Sequence, residues 1–252
     1  MGKYVEGESR IRQRGGMRHF MKCAGGEIHV WRIELDGAAR TAAALRAALS
    51  PEEMGRAARF RTAELQERWL TARGALRCIL ASYAGCEAWE LIFRQGSHGK
   101  LSLERPVCEI AFNLTHTGGL ALVAVGNNRR VGIDAEKVRG DVEIEDLSRR
   151  FFAPDEAEEI LTMSPDERLA AFFRCWSRKE AFVKALGGGL SIALDGFRVS
   201  VRADEPARLI WASGEISGQW SLLDVSEAGV AAAVAVEGSA PVLRQMNFVA
   251  PS

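Results

Sequence analysis

The chain has 252 residues, of which 47% are hydrophobic and 26% are charged, and its 33 Lys and Arg residues balance its 33 Asp and Glu residues. This composition is typical of a globular protein and excludes a disordered chain, a collagen or a disulfide miniprotein. The zero net charge argues against a protein that coats nucleic acid, and no apolar run reaches the ~20 residues that a membrane helix needs. We therefore expect neither a nucleic acid nor a membrane among the partners.

The five cysteines are scattered along the chain and form no CxxC pair. This pattern argues against a zinc site or a disulfide framework, and it is typical of reduced thiols in a cytoplasmic protein.

Residues 1–26 are basic, contain two glycine pairs and lack the apolar core of a secretory signal peptide. We interpret them as a flexible N-terminal extension or as the result of an upstream start. A basic arm or a transit-like segment is the alternative.

The rest of the chain runs twice through the same order of signals. A strand pattern over 28–35 precedes a helix start at 50–52, and a strand pattern over 131–136 precedes a helix start at 153–156. Proline in a first turn, followed by acidic residues, favours a helix start. The order predicts an α+β protein with two similar halves, and the alternative is a chance likeness of two α+β segments. The predicted divisions are an N-terminal half at 27–128, a C-terminal half at 129–240 and a tail at 241–252.

The spacing of apolar residues predicts long helices over 52–84 and 155–186, the second broken near Ser164-Pro165. Strands are predicted at 111–114 and 120–125, joined by a Thr-Gly-Gly turn.

The segment 131–136 reads VGIDAE and is predicted to be a strand. Residues two apart on a strand share a face, so Asp134 and Glu136 point the same way. Two neighbouring carboxylates raise each other's pKa unless a cation lies between them, and Mg²⁺ is a natural choice. The alternative is a pair of surface acids on an edge strand.

On the second long helix, Glu180 and Lys184 are one turn apart, and glycines at 187–189 end the helix. An ordinary ion pair with a glycine cap is the alternative. At 112–119 a strand brings Asn113, Thr115 and His116 to a glycine turn, and this set suits a phosphate or an ordinary polar turn.

Four segments, taken in this order, resemble the motifs of the 4′-phosphopantetheinyl transferase superfamily, in particular its larger Sfp-type members built from two fused halves. The segments are 99–101, 112–117, 132–136 and 176–184, the last followed by glycines and Leu190. The likeness extends over about residues 28–236. It implies a pseudo-twofold relation between the halves, each a small sheet packed on a long helix, with coenzyme A bound between them.

The resemblance also implies roles for individual residues. Asp134, Glu136 and Glu180 correspond to Mg²⁺ ligands, and Lys184 corresponds to a lysine on the coenzyme A pyrophosphate. The other implied coenzyme A contacts are Arg56, Arg73, Lys100, Thr115 and His116. The implied catalytic set is Glu180, Lys184 and Asp134, with Glu180 as the base, directly or through a metal-bound water.

The implied reaction transfers 4′-phosphopantetheine from coenzyme A to a serine hydroxyl of an apo acyl or peptidyl carrier protein. The products are the holo-carrier and adenosine 3′,5′-bisphosphate, and a monomer is sufficient because both halves belong to one chain. The alternatives are a non-catalytic module that binds coenzyme A or a carrier, and a Mg²⁺-dependent coenzyme A hydrolase. Five positions depart from the family pattern. Leu101 stands in place of proline, Thr115 and Thr117 in place of serines, Glu53 in place of a lysine found in some relatives, and Gly188 in place of a common lysine.

Overall fold

The computed structural model describes residues 21–36, 42–96, 98–213 and 219–251. Residues 1–20 of the predicted extension therefore lie outside the described residues. Its last part contacts the fold, since the backbone N–H of Met21 donates to the carbonyl of Ser82 and the Cys23 side chain is buried.

Helices and strands form blocks along the described chain: one strand, three α-helices, five strands, three α-helices and five strands. The helices are α1 (Ala42–Ala47), α2 (Pro51–Ala57), α3 (Ala63–Ala84), α4 (Ile144–Phe151), α5 (Pro154–Leu161) and α6 (Pro165–Leu186). The strands are β1 (Glu27–Glu34), β2 (Ile92–Gln95), β3 (Leu101–Arg105), β4 (Ile110–Thr117), β5 (Leu120–Asn127), β6 (Val131–Lys137), β7 (Phe197–Val199), β8 (Leu209–Ala212), β9 (Trp220–Asp224), β10 (Val230–Glu237) and β11 (Val242–Asn247). The two larger sheets have the orders β11-β1-β5-β4 and β6-β10-β9, while β2-β3 and β7-β8 form two-stranded sheets. The predicted α+β class is confirmed.

Three of the four apolar clusters in the described part of the chain hold the layers together. One core joins Ile33 of β1 to Leu76 of α3, and a second joins Val30 of β1 to Val234 of β10. A third core joins Phe182 of α6 to the other face of β10. The layers therefore run α3, first sheet, second sheet, α6, and each large sheet packs on one 22-residue helix.

The alternation of β6 decides which side chains face α6. Ile133 and Ala135 enter the core between the sheets, so Gly132, Asp134 and Glu136 point to the opposite face. A Cβ atom on Gly132 would lie 2.1 Å from the carbonyl oxygen of Ala181 in α6. Glycine at this position therefore lets the helix backbone approach the strand that carries both acids.

The predicted helix over 52–84 is interrupted, whereas the break near Ser164-Pro165 is confirmed. Two helices occupy this range. The helix α2 ends at Ala57, and α3 begins after Thr62, whose side chain accepts the Leu65 backbone N–H. Because a threonine cap satisfies the free N–H groups of a new helix, it favours a restart at this point.

Residues 242–247 lie within the predicted tail and form β11, which pairs in parallel with β1. The pairing runs from Glu27 beside Val242 to Arg32 beside Asn247. Residues distant in sequence therefore complete the first sheet.

Within the ranges that the structure describes, no helix combines the length and the apolar composition of a membrane span.

Candidate active site

The candidate site lies where β4, β6 and α6 meet. The strands β4 and β6 are neighbouring edges of two different sheets, and α6 packs across β6. The site therefore combines polar side chains from both halves of the chain.

Asp134 is the buried centre of this site, with 3% of its surface exposed. Its Oδ1 accepts a hydrogen bond of 2.6 Å from Lys184 Nζ and one of 3.4 Å from the Thr115 hydroxyl. Its Oδ2 is buried and has no hydrogen-bond partner in the described part of the chain. Because buried carboxylate oxygens normally have partners, Oδ2 is a candidate ligand atom for a cation or an external donor.

Two further carboxylates share the electrostatic field of Asp134. Burial, and then the charge of Asp134, raise the pKa of both Glu136 and Glu180. The charge of Lys184 opposes this rise in the pKa of each residue. Burial and mutual repulsion disfavour the charged forms of these carboxylates, and a cation placed between them would relieve both effects. The set is therefore electrostatically suited to a cation.

The donor chemistry of the site fits a hard divalent ion, which prefers carboxylate oxygens. Among the residues that the structure describes, however, no three His, Cys, Asp or Glu side chains are arranged so that they could hold a metal ion. The ammonium of Lys184 supplies the positive charge next to Asp134. A divalent ion could therefore bind all three carboxylates only if Glu136 and Glu180 moved relative to Asp134.

The predicted phosphate residues of β4 lie on opposite sides of that strand. Thr115 is buried and faces Asp134, whereas His116 is exposed. Consecutive residues of a strand point to opposite faces, which explains the difference. The structure therefore brings Thr115 to the carboxylate centre but not the adjacent imidazole.

Lys100 lies in the turn between β2 and β3 and reaches across to α6. Its Nζ donates to the carbonyl oxygens of Lys184 at 2.6 Å and of Val131 and Ala185 at 3.1 Å. Burial, followed by the charge of Arg130, lowers the pKa of Lys100 to about 8. A lysine ammonium has three donors, so three carbonyls account for its full capacity.

The predicted arginine contacts differ in their surroundings. Arg56 is exposed, and its guanidinium lies 5.8 Å from the centre of the Trp69 ring. Arg73 is largely buried and donates to Glu53, which also accepts a 2.7 Å bond from Arg77. Burial acts to raise the pKa of Glu53, but the charges of the two arginines and the hydrogen bond from the Ser50 N–H together hold this pKa below its usual value. Glu53 therefore neutralises much of the charge that Arg73 could offer to a phosphate.

Sequence reasoning missed two functional contributions. The first is the close approach of α6 at Gly132, for which a glycine beside an acidic strand motif is a weak signal. The second is a pair of bonds from β4 side chains to the β6 backbone: Asn113 Oδ1 accepts the Ile133 N–H, and Thr117 Oγ1 accepts the Lys137 N–H. The period-two spacing of Asn113, Thr115 and Thr117 was the available signal, since it places them on one face.

A comparison with protein families matches residues 130–235 to the 4′-phosphopantetheinyl transferase superfamily. The chain is 39% identical over 215 residues to the 4′-phosphopantetheinyl transferase HetI of Nostoc sp., covering 84% of this chain and 88% of that protein. It is 30% identical over 156 residues to the 4′-phosphopantetheinyl transferase Sfp of Bacillus subtilis, covering 62% of this chain and 68% of that protein.

Among solved structures, the holo-[acyl-carrier-protein] synthase of Thermotoga maritima matches with 26% identity and a TM-score of 0.34, covering 43% of this chain and 62% of that one. An ACPS–CoA complex of Chronobacterium ammoniagenes matches with 20% identity and a TM-score of 0.35, covering 44% and 98%. These structural scores are low and add nothing to the sequence matches.

Proposed function

Because the chain belongs to the 4′-phosphopantetheinyl transferase superfamily, we propose that it transfers the 4′-phosphopantetheine group of coenzyme A to a serine hydroxyl of an apo-carrier protein. The products are the holo-carrier and adenosine 3′,5′-bisphosphate. The carrier is an acyl or peptidyl carrier of fatty-acid, polyketide or nonribosomal peptide biosynthesis.

The observation that carries this proposal is the convergence of Asp134, Lys184 and Thr115 at the junction of β4, β6 and α6. An ammonium beside a buried carboxylate provides both signs of charge within one site. Phosphoryl transfer depends mainly on such positioning and charge stabilisation.

We propose Mg²⁺ as the cofactor, with Asp134, Glu136 and Glu180 as its ligands. The unpartnered Oδ2 of Asp134 and the raised pKa values of the two glutamates support this choice. Held by these carboxylates, Mg²⁺ would supply positive charge that neutralises phosphate.

For coenzyme A we propose contacts from both halves. Lys184 and the neighbouring Thr115 hydroxyl contact the pyrophosphate, while His116, on the exposed side of β4, binds the 3′-phosphate. Arg56 and Arg73 add positive charge, with Arg56 contributing more because Glu53 already neutralises Arg73. Lys100 is proposed to line the adenine end, where its aliphatic stem offers contact while its ammonium stays bound to carbonyls.

The proposed chemistry is a displacement at the β-phosphorus. Glu180 takes up the proton of the carrier serine, directly or through a bound water. The serine oxygen forms a bond to phosphorus as the bond to the bridging pyrophosphate oxygen breaks. Lys184 stabilises the charge that grows on the departing bisphosphate.

The test is the intact mass of an apo-carrier after incubation with this protein, coenzyme A and Mg²⁺. We expect a gain equal to one phosphopantetheine group. Glu180→Gln should lower the rate about 10²- to 10⁴-fold, the usual contribution of a general base. Glu167→Gln, the same change in the exposed first turn of α6, is the matched control.

Two outcomes would contradict the proposal. Coenzyme A binding without modification of acyl and peptidyl carriers would indicate a binding module. Release of adenosine bisphosphate without a carrier would indicate a hydrolase.

We also propose that the protein acts as a monomer, because β4, β6 and α6 belong to one chain. A cytoplasmic location is supported by the cysteines, all five of which are free.

A further inference from the structure

Two side chains of β4 accept hydrogen bonds from the backbone of the neighbouring strand β6. The strands β4 and β6 run beside each other but belong to different sheets. Asn113 Oδ1 accepts the Ile133 N–H at 2.9 Å, and Thr117 Oγ1 accepts the Lys137 N–H at 3.0 Å. The side chains of one strand thus satisfy backbone donors of the other.

These two bonds lie on either side of the acidic pair. Ile133 directly precedes Asp134, and Lys137 directly follows Glu136. The segment that carries both carboxylates is therefore fixed to β4 at each end.

Thr115 lies between Asn113 and Thr117 on the same face of β4, and its hydroxyl contacts Asp134 Oδ1. A change in the spacing of the two strands would alter this contact first. It would also shift Asp134 relative to Lys184, whose backbone belongs to α6.

We propose that Asn113 and Thr117 are positioning residues for phosphopantetheinyl transfer, which hold the acidic segment of β6 at a fixed distance from β4. This inference rests on the proposed function. Neither residue touches the reacting atoms; each acts through the backbone beside a carboxylate.

The fold itself depends little on these bonds. The other edge of β6 pairs with β10 from Val131 to Lys137, and the apolar residues of β6 lie in the core between the sheets. Losing one side-chain bond should therefore leave the strand in place but allow it to shift slightly. A displacement of about 1 Å can lower a reaction rate by as much as about 10²-fold.

The experiment compares Thr117→Val, which removes the acceptor, with Thr117→Ser, which keeps it. Asn113→Leu removes the second acceptor. Two matched controls lie away from the contact between β4 and β6. They are Thr162→Val, which removes a hydroxyl that donates to the Glu159 carbonyl, and Asn127→Leu, which removes an amide that donates to the Cys23 carbonyl. Carrier modification gives kcat and the KM for coenzyme A, urea denaturation gives stability, and amide exchange reports the Lys137 N–H.

We expect Thr117→Val and Asn113→Leu to lower kcat about 10-fold or more, as loss of outer contacts does at metal sites. The KM for coenzyme A should change little, stability should fall no more than in the controls, and Thr117→Ser should restore kcat. The Lys137 amide should lose exchange protection in Thr117→Val only. The inference would be overturned if Thr117→Val and Asn113→Leu had the same kcat as the controls. It would also be overturned if the loss of kcat in each variant were explained by its loss of stability.

If the wild-type chain transfers nothing to any carrier, the proposed function fails while the positioning role can still be judged. Calorimetric titration with Mg²⁺ alone then decides it. Weaker binding in Thr117→Val that Thr117→Ser restores would support positioning of the carboxylates, and unchanged binding or none at all would refute it.

Discussion

Glu53 at the start of α2 accepts a 2.7 Å hydrogen bond from Arg77 Nε in α3, and both side chains are buried. The same carboxylate accepts the backbone N–H of Ser50, so it also closes the cap of its own helix. In the second half, Glu156 accepts the backbone N–H of Ala153 and lies 2.7 Å from Lys179 Nζ in α6. Each long helix is thus tied to the preceding short helix by a glutamate at the third helical position.

Replacing Glu53 should destabilise the first half strongly. Glu53→Gln leaves the buried Arg77 and the largely buried Arg73 without a counter-charge. We expect the free energy of unfolding to fall by about 3–5 kcal/mol, as it does when one partner of a buried ion pair is removed. Urea denaturation measures the change. Glu52→Gln, the exposed neighbour on α2, should stay within about 0.5 kcal/mol of wild type, and equal effects of the two substitutions would contradict this account.

Lys179 and Glu156 should show strong coupling. Both side chains are fully buried, and Lys179 also donates to the carbonyls of Leu194 and Phe197. Lys179→Met alone should lower the free energy of unfolding by about 3–5 kcal/mol. The double variant with Glu156→Gln should lose less than the sum of the two single losses, because no uncompensated charge remains. Additive losses in denaturation experiments would argue against a coupled pair.

Lys184→Met should affect stability and activity together. Asp134 would keep a buried carboxylate without its ammonium partner, which should cost about 1–3 kcal/mol of unfolding free energy. Loss of the charge that stabilises the leaving group should lower the transfer rate about 10²- to 10³-fold. Denaturation and carrier mass spectrometry measure the two effects. Lys137→Met, which removes an exposed ammonium on β6, is the control and should retain wild-type transfer.

His29 should make stability depend on pH. Burial lowers its pKa below 6.5, so the imidazole is neutral in the fold at neutral pH. Its Nε2 lies 3.3 Å from a carboxylate oxygen of Glu27 and therefore carries the proton of the neutral ring. Its Nδ1 accepts the Tyr83 hydroxyl at 2.6 Å, and that hydroxyl accepts the Trp31 Nε1–H. The unfolded chain takes up a proton at higher pH than the folded chain does, so stability is lost as the pH falls through 6.5.

Urea denaturation between about pH 7.5 and about pH 5.5 would measure this loss. The His29→Gln variant should have a smaller dependence on pH over this interval. Identical pH dependences in variant and wild type would assign the loss to other groups.

Local signals in the sequence predicted β6 and α6, but the strand predicted at 111–114 is too short, since β4 runs over Ile110–Thr117 and includes Thr115 and His116. Alternating apolar residues and a polar turn predicted β6, and Pro154 with the acids after it predicted the start of α5. The shared face of Asp134 and Glu136 also followed from the period of a strand.

Contacts between distant segments could not be predicted in the same way. Nothing near Lys100 in the sequence indicates that its ammonium binds the carbonyls of Lys184 and Ala185. The interruption before Thr62 depends on a cap that competes with a continuous apolar pattern. Such features depend on which surfaces meet in the folded chain.

The parallel pairing of β1 with β11 has a consequence for synthesis on the ribosome. The strand β1 is made early, but its outer neighbour at 242–247 emerges only after the whole second half. Until then the outer edge of β1 presents unpaired N–H and C=O groups, which can recruit strands from other nascent chains. A fragment ending at residue 128 would keep this edge open, so we expect truncated translation products to aggregate more readily than the full-length chain.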